Sequence, residues 1–156
     1  MDESRLPALV EALDVPSRSE RDAAWEPIRE LGAPLVPYLS DYVPHAKHWQ
    51  CRASILTYLG PYSRTSEAAF RAGLDLLLDR SRPVRHAACA LCAYSLRETA
   101  LPALQQLLGH SDARTSADAC AAIDAITHQN HHYFRDRDHS GVVKWDYAYR
   151  PDSWRS

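Results

Sequence analysis

The sequence predicts an all-α protein made of helix pairs stacked in a row, with a short β-hairpin at its C-terminal end. Three observations support this fold class. An arginine pattern recurs along the chain, short amphipathic segments alternate with glycine and proline, and the composition changes after His128. Together they predict a helical domain over residues 1–128, followed by a hairpin and tail over residues 129–156 that pack on its last unit.

The recurring pattern is an arginine followed three residues later by a small or aliphatic residue, and four residues after that by another. Successive arginines are about 30 residues apart, a period typical of stacked helical pairs. Each such pair is too short to bury its own apolar face and therefore packs against its neighbours. The four sets are Arg21/Ala24/Ile28, Arg52/Ile55/Leu59, Arg85/Ala88/Cys92 and Arg114/Ala117/Ala121.

The helical segments are identified from apolar spacing and from their start and stop signals. Ser17 or Ser19 is suited to cap a helix because a serine hydroxyl accepts from the free N–H groups of a first turn. Gly32 and Pro34 end that helix and start the next, and Pro83 suits a first turn. The predicted helices cover residues 4–15, 17–31, 34–43, 47–59, 66–79, 81–96, 99–108 and 113–128.

The C-terminal region has a different composition. Residues 131–135 and 142–147 are rich in aromatic and β-branched side chains and flank the polar stretch 136–141. This pattern favours two strands joined by a turn. The predicted hairpin covers the exposed end of the helical stack, and residues 148–156 form a loose tail.

Residues 79–91 and 100–108 together resemble a HEAT repeat, and are most similar to the short bacterial form named after phycobilisome lyases. The resemblance extends less strongly over residues 19–128. It implies a right-handed α-solenoid of about four HEAT-like helix pairs, and most such proteins are binding scaffolds. In HEAT-like units the recurrent arginine commonly ties one repeat to its neighbour. The lyase activity of the founding members is not implied, because the repeat alone does not carry it.

Composition and charge restrict the functional classes. The net charge of −2 provides no overall basic field for a phosphate backbone. No apolar run is long enough to span a bilayer, and the acidic start is unlike a secretory signal, which predicts a cytoplasmic protein. The four cysteines are then expected to remain thiols, with Cys89 and Cys92 as core residues. We find no phosphate-binding loop, nucleophile elbow or paired carboxylates, so no enzyme is predicted.

The leading functional hypothesis is a non-enzymatic scaffold that binds one protein partner in a one-to-one complex. The second helix of each predicted pair presents polar side chains of mixed charge, and a few tyrosine or tryptophan residues would serve as anchors. The resemblance also includes small bacterial immunity proteins that neutralise a toxin, which is a narrower version of the same hypothesis. The expected contact residues are Tyr38, Asp41, Tyr42, Arg71, Asp75, Gln105, Gln106 and Trp145.

Nucleic-acid binding or DNA repair is one alternative, because a DNA glycosylase family also uses HEAT-like repeats. Such a protein needs a basic groove. Arg80, Arg82 and Arg85 form the dense basic cluster of this sequence.

A metal-dependent binding module is the other alternative. Asp136, Asp138 and Ser140 match positions 1, 3 and 5 of an EF-hand calcium loop, and Gly141 matches position 6. Position 12 is Tyr147 in place of the usual glutamate, so an aspartate-capped turn is the competing interpretation. The histidines and aspartates of the same region are also candidate transition-metal ligands, with surface histidines as the simpler reading. These residues are His128, His131, His132, His139, Asp136 and Asp138.

Overall fold

The computed structural model describes residues 2–147, and within that range the protein is all-helical. The predicted tail, residues 148–156, lies entirely outside the described residues. The α-helices are α1 (Leu6–Glu11), α2 (Arg18–Trp25), α3 (Val36–Tyr42), α4 (Trp49–Leu59), α5 (Glu67–Asp75), α6 (Arg82–Ser95), α7 (Leu101–Leu107) and α8 (Ala113–Thr127). Short 3₁₀ turns cover Glu3–Arg5, Arg29–Leu31, Ala33–Leu35, Val43–His45, Gly60–Tyr62, Glu98–Ala100 and His131–Phe134.

Side chains and glycine set the helix ends. Ser17 and Ser66 each accept a hydrogen bond from the backbone N–H three residues later, at 3.3 and 3.1 Å, and so cap α2 and α5. Asp112 caps α8 in the same way. Gly32, at φ 71°, takes the left-handed conformation between two 3₁₀ turns, where glycine has no steric penalty.

The helices pack in serial order. Among the even-numbered helices, α4 packs against α6 and α6 against α8, while among the odd-numbered ones α1 packs against α3 and α3 against α5. The helices α5 and α6 are neighbours, as are α7 and α8. One continuous apolar core runs through these contacts. No helix within residues 2–147 is long and apolar enough to cross a membrane.

The predicted hairpin is wrong over the residues that the structure describes. His131–Phe134 is a 3₁₀ turn capped by the Asn130 side chain, and residues 2–147 contain no strand. The aromatic side chains that suggested strands are instead buried in the core. Phe134, Trp145 and Tyr147 join the core beside α6 and α8. Strand propensity largely reflects such packing of aromatic and branched side chains, so a non-strand segment can satisfy it.

Candidate functional site

Arg52 of α4 joins two successive helix pairs. Its guanidinium donates from Nε and Nη2 to the two carboxylate oxygens of Asp79, at 2.8 and 3.1 Å. Its remaining nitrogen donates to the carbonyl of Ala46 at 3.0 Å. Both side chains of the ion pair are almost fully buried, at 4% and 8% exposure. Such a bidentate pair fixes the relative position of the two units.

Arg85 of α6 repeats this arrangement one unit later. It donates to the Asp79 carbonyl at 2.8 Å, to the Thr115 hydroxyl at 2.9 Å, and to an Asp112 carboxylate oxygen at 3.4 Å. Asp79 therefore accepts from Arg52 through its side chain and from Arg85 through its backbone. Arg52 and Arg85 thus tie one helix pair to the next, as expected for the recurrent arginine.

The first and fourth arginines differ from the middle two. Arg21 donates to the carbonyls of Val15 and Pro16, at 3.3 and 3.4 Å. In the fourth predicted set Arg114 and Ala117 are exposed, and only Ala121 lies on the core face of α8. In α2, α4 and α6 the arginine is the fourth residue after the N-cap. The N-cap of α8 is Asp112, so the equivalent position there is Ser116. The sequence pattern placed the fourth unit two residues too early.

Most of the predicted partner-contact residues lie on the surface. Seven of them lie on α3, α5 and α7, and five of these seven are exposed. Arg71, one of the five, makes a long ion pair of 3.5 Å with Glu67. Tyr38 is half-buried, and the Tyr42 hydroxyl donates to Asp14 at 2.8 Å. The exposed five are Asp41, Arg71, Asp75, Gln105 and Gln106.

Trp145, in contrast, is a core residue. It is 8% exposed, and its ring lies 5.3 Å from Phe134 and 6.0 Å from Tyr94 between ring centres. Tyr147 stands 5.2 Å from Tyr94 in the same group. A buried ring cannot anchor a partner without leaving this cluster, so Trp145 does not belong to the exposed set.

Hydrogen bonds to the Asp136 carboxylate close the loop that was predicted to bind calcium. Asp136 is buried, and its carboxylate accepts from the backbone N–H groups of Ser140 and Gly141 at 2.9 and 2.8 Å. The Ser140 hydroxyl donates to the same carboxylate at 2.7 Å, and this hydrogen bond helps hold the pKa of Asp136 below its usual value. Asp138 is exposed. The carboxylate thus closes an aspartate-capped turn, as in the competing interpretation of this loop.

Asp118 is at the centre of a polar network between α6, α8 and the segment after α8. It accepts from Arg137 at 2.8 Å and lies 2.8 Å from His86 Nδ1. Burial raises the pKa of Asp118, but the hydrogen bonds and positive charges of His86 and Arg137 outweigh it and lower the pKa overall. The network fixes the segment around Arg137 to the helices.

Beside this network is an open cleft of 520 Å³, which we call the arginine cleft. Three arginines and a histidine surround one carboxylate, so the lining is predominantly basic. Arg85, which the sequence placed in its basic cluster, is instead buried and bonded to the Asp79 carbonyl, and it does not line the cleft. The cleft residues are Arg82, Pro83, His86, Arg114, Ala117, Asp118 and Arg137.

Three of the four cysteines are buried in the core. Burial raises the pKa of Cys51 and of Cys92 to about 12, and raises that of Cys89 as well. A thiol with such a pKa is protonated near neutral pH and is a poor nucleophile. Cys89 and Cys92 therefore pack as small apolar residues.

Within residues 2–147 one group of side chains has the arrangement of a metal site: Asp124, His128 and His139. Sequence reasoning named both histidines but grouped them with Asp136 and Asp138. The available signal was the spacing of Asp124 and His128, since residues four apart share one face of a helix.

No family model matches the chain, and no curated protein matches it significantly.

Proposed function

We propose that this protein is a non-enzymatic scaffold that binds one protein partner through the exposed surface of α3, α5 and α7. In this proposal the helix pairs form a right-handed HEAT-like solenoid. The serial packing of alternate helices and the arginine contacts between units support it. The partner surface is the set Asp41, Arg71, Asp75, Gln105 and Gln106, without Trp145.

One observation carries the proposal: the buried charged side chains Arg52, Arg85 and Asp118 are bonded within the fold, whereas this surface set is exposed. Arg52, Arg85 and Asp118 are each bonded to neighbouring elements. The exposed set instead combines one arginine, two carboxylates and two amides. Such a surface offers charges and amides that a complementary protein surface would pair with, which gives specificity.

Site-specific photo-crosslinking in the native host tests this proposal. A photoreactive residue at Gln105 or Asp75 should capture one partner in stoichiometric amounts, while the same residue at exposed Thr57 on α4 serves as the control. Charge reversal by Asp75→Arg should then weaken the purified complex by about tenfold or more. Equal capture from Gln105 and Thr57, or an unchanged affinity in Asp75→Arg, would rule the surface out.

The narrower proposal is that the scaffold is an immunity protein and its partner a toxin. It rests on the resemblance described above and on the one-to-one mode of binding. Its added expectation is that co-expression of the scaffold rescues growth of cells producing the partner, and that Asp75→Arg reduces the rescue. Partner production that is harmless in the absence of the scaffold would contradict it.

A second candidate, nucleic-acid binding, is favoured by the arginine cleft. Its three arginines could contact phosphates, although Asp118 already pairs with one of them. If the cleft binds nucleic acid, a duplex should bind at low salt and Arg82→Glu should abolish the shift in a gel. Absence of a shift for the unaltered protein would eliminate this candidate.

A further inference from the structure

The C-terminal end of α8 and the turn after it bring two imidazoles and a carboxylate together. His128 Nδ1 lies 3.0 Å from Asp124 Oδ1. His139 Nε2 lies against the other carboxylate oxygen of Asp124. One ligand atom from each of the three residues falls within 4.8 Å of the other two.

Each of the three side chains reaches the cluster from a defined piece of backbone. Asp124 and His128 are four residues apart at the end of α8, where side chains of this spacing lie on the same face. His139 has a positive φ of 55°, which is uncommon for a residue other than glycine. Its backbone N–H donates to the Asp136 carbonyl at 3.1 Å, and the Asp136 carboxylate closes the same turn.

The His139 ring is also held from the side. It stacks on Tyr133, with ring centres 3.8 Å apart and planes 9° from parallel. A ligand whose backbone and ring are already fixed loses little conformational freedom when it binds. The arrangement is therefore more ordered than that of ordinary surface histidines.

We propose that Asp124, His128 and His139 form a binding site for a divalent transition metal of the zinc class. Two imidazole nitrogens and one carboxylate oxygen suit Zn²⁺, which is usually four-coordinate. Metal–ligand bonds of about 2.0–2.1 Å place tetrahedral ligand atoms about 3.3 Å apart. The candidate ligand atoms lie within 4.8 Å of one another, so small side-chain shifts would bring them to this spacing. The fourth position faces solvent, because all three side chains are partly exposed.

The same donor set disfavours calcium, which takes six to eight oxygen ligands. The neighbouring histidines do not belong to this group of ligand atoms. His131 Nδ1 is bonded to Arg64 at 2.9 Å, and His132 Nδ1 accepts from the Trp145 N–H at 2.9 Å. A metal bound by the three proposed ligands ties the turn around His139 to α8. This inference does not depend on the proposed scaffold function.

Titration calorimetry with Zn²⁺ on protein without a histidine tag tests the site. We expect one ion per chain, with binding weakened by about tenfold or more in His139→Ala and in Asp124→Asn. His45→Ala, which removes an exposed histidine elsewhere, is the matched control and should bind as the unaltered chain does. A Cys120→Ser background removes the exposed thiol as a competing ligand.

Co²⁺ provides a second readout, since visible absorption reports a tetrahedral site directly. The band should appear in the unaltered chain and in His45→Ala, and be lost in His139→Ala whose far-UV circular dichroism is unchanged. No Zn²⁺ binding by the unaltered chain, or binding that persists in both ligand variants, would overturn the proposal. The histidines and Asp124 would then be ordinary hydrogen-bonded groups at a helix end.

Discussion

Asp79 is the residue on which the contacts between units converge. Its carboxylate neutralises a buried guanidinium, accepts from the Ser81 N–H at 2.9 Å, and leaves its carbonyl to Arg85. Removing one partner of a buried ion pair leaves the other charge uncompensated in a region of low polarity. Asp79 therefore affects stability more than any exposed carboxylate should.

Replacing Asp79 by asparagine should lower the free energy of unfolding by about 3–5 kcal/mol, because Arg52 loses its charge partner at nearly constant side-chain volume. Urea denaturation followed by far-UV circular dichroism measures this change. The control is Asp22→Asn, whose ion pair with Arg18 is long and exposed, and which should change stability by less than about 0.5 kcal/mol. Similar losses of unfolding free energy in both variants would show that the buried ion pair contributes no more to stability than the exposed one.

The burial of the four cysteines predicts how fast each thiol reacts. Cys120 is exposed while Cys51, Cys89 and Cys92 are buried, so one thiol per native chain should react rapidly with Ellman's reagent. All four should react in denaturant, and Cys120→Ser should abolish the rapid phase. Rapid reaction of a further thiol in the native chain would mean that the core opens around it.

At the scale of the elements, α5 and α6 approach each other closely at Gly73. A Cβ atom built on Gly73 would overlap the side chain of Leu91, which is fully buried and has little room to move. At Gly109 the nearest atom to such a Cβ is the Gln106 carbonyl oxygen, 3.8 Å away. The two glycines thus form a matched pair, one tightly packed and one open.

Gly73→Ala should lower the free energy of unfolding. Overpacking costs about 1–3 kcal/mol, and the better helix propensity of alanine offsets only about 0.5–1 kcal/mol of it. Gly109→Ala should leave stability nearly unchanged in the same urea titration. A neutral Gly73→Ala variant would mean that Leu91 can shift without loss of packing.

Helix number and order were largely predictable from the sequence, but helix ends were less so. The second helix was predicted to run to residue 31, whereas α2 ends at Trp25. Pro27 explains the difference, because proline lacks the N–H that would continue the helix. The fifth was predicted to reach Asp79 but ends at Asp75, because the backbone leaves the helical conformation at Leu76, at φ −100° and ψ 7°.

The candidate sites were predicted less well, because they depend on tertiary packing. Five of the proposed contact residues are exposed, but Trp145 is buried among aromatic rings that sequence spacing cannot bring together. In the predicted calcium loop, Asp136 bonds to its own turn. The site formed by Asp124, His128 and His139 combines a helix end with a later turn, so local motif matching missed it.

At the scale of the whole molecule, two carboxylates connect elements that are far apart in sequence. Asp14 follows α1 and accepts from the backbone N–H groups of Lys47 and His48, at 2.8 and 3.0 Å, and from Tyr42. Burial raises the pKa of Asp14, but these hydrogen bonds outweigh it and lower the pKa overall. Asp118 connects α8 to α6 and to Arg137, and its pKa is likewise lowered.

These shifts predict acid destabilisation. The folded-state pKa values lie below the unfolded value of about 3.9, so the stabilisation is fully present only well above that value, from about pH 5 upward. It should be lost progressively as the pH falls from about 5 through the folded pKa values. Urea titrations between pH 7 and pH 3 measure the slope, which should be shallower in Asp14→Asn, a variant already less stable at pH 7. A slope identical to that of the unaltered chain would exclude Asp14 from the acid transition.

The ring cluster around Tyr94 provides a spectroscopic signal for the packing of residues 145–147 on α6. Trp145 and Tyr147 meet Tyr94 edge-on, in a fixed and asymmetric setting that produces near-ultraviolet circular dichroism. The difference spectrum between the unaltered chain and Trp145→Phe isolates that signal from the tryptophans elsewhere. Loss of this near-ultraviolet signal reports the detachment of Trp145 from α6, and far-UV circular dichroism reports helix unfolding. If the first occurs earlier, this segment detaches before the protein unfolds globally.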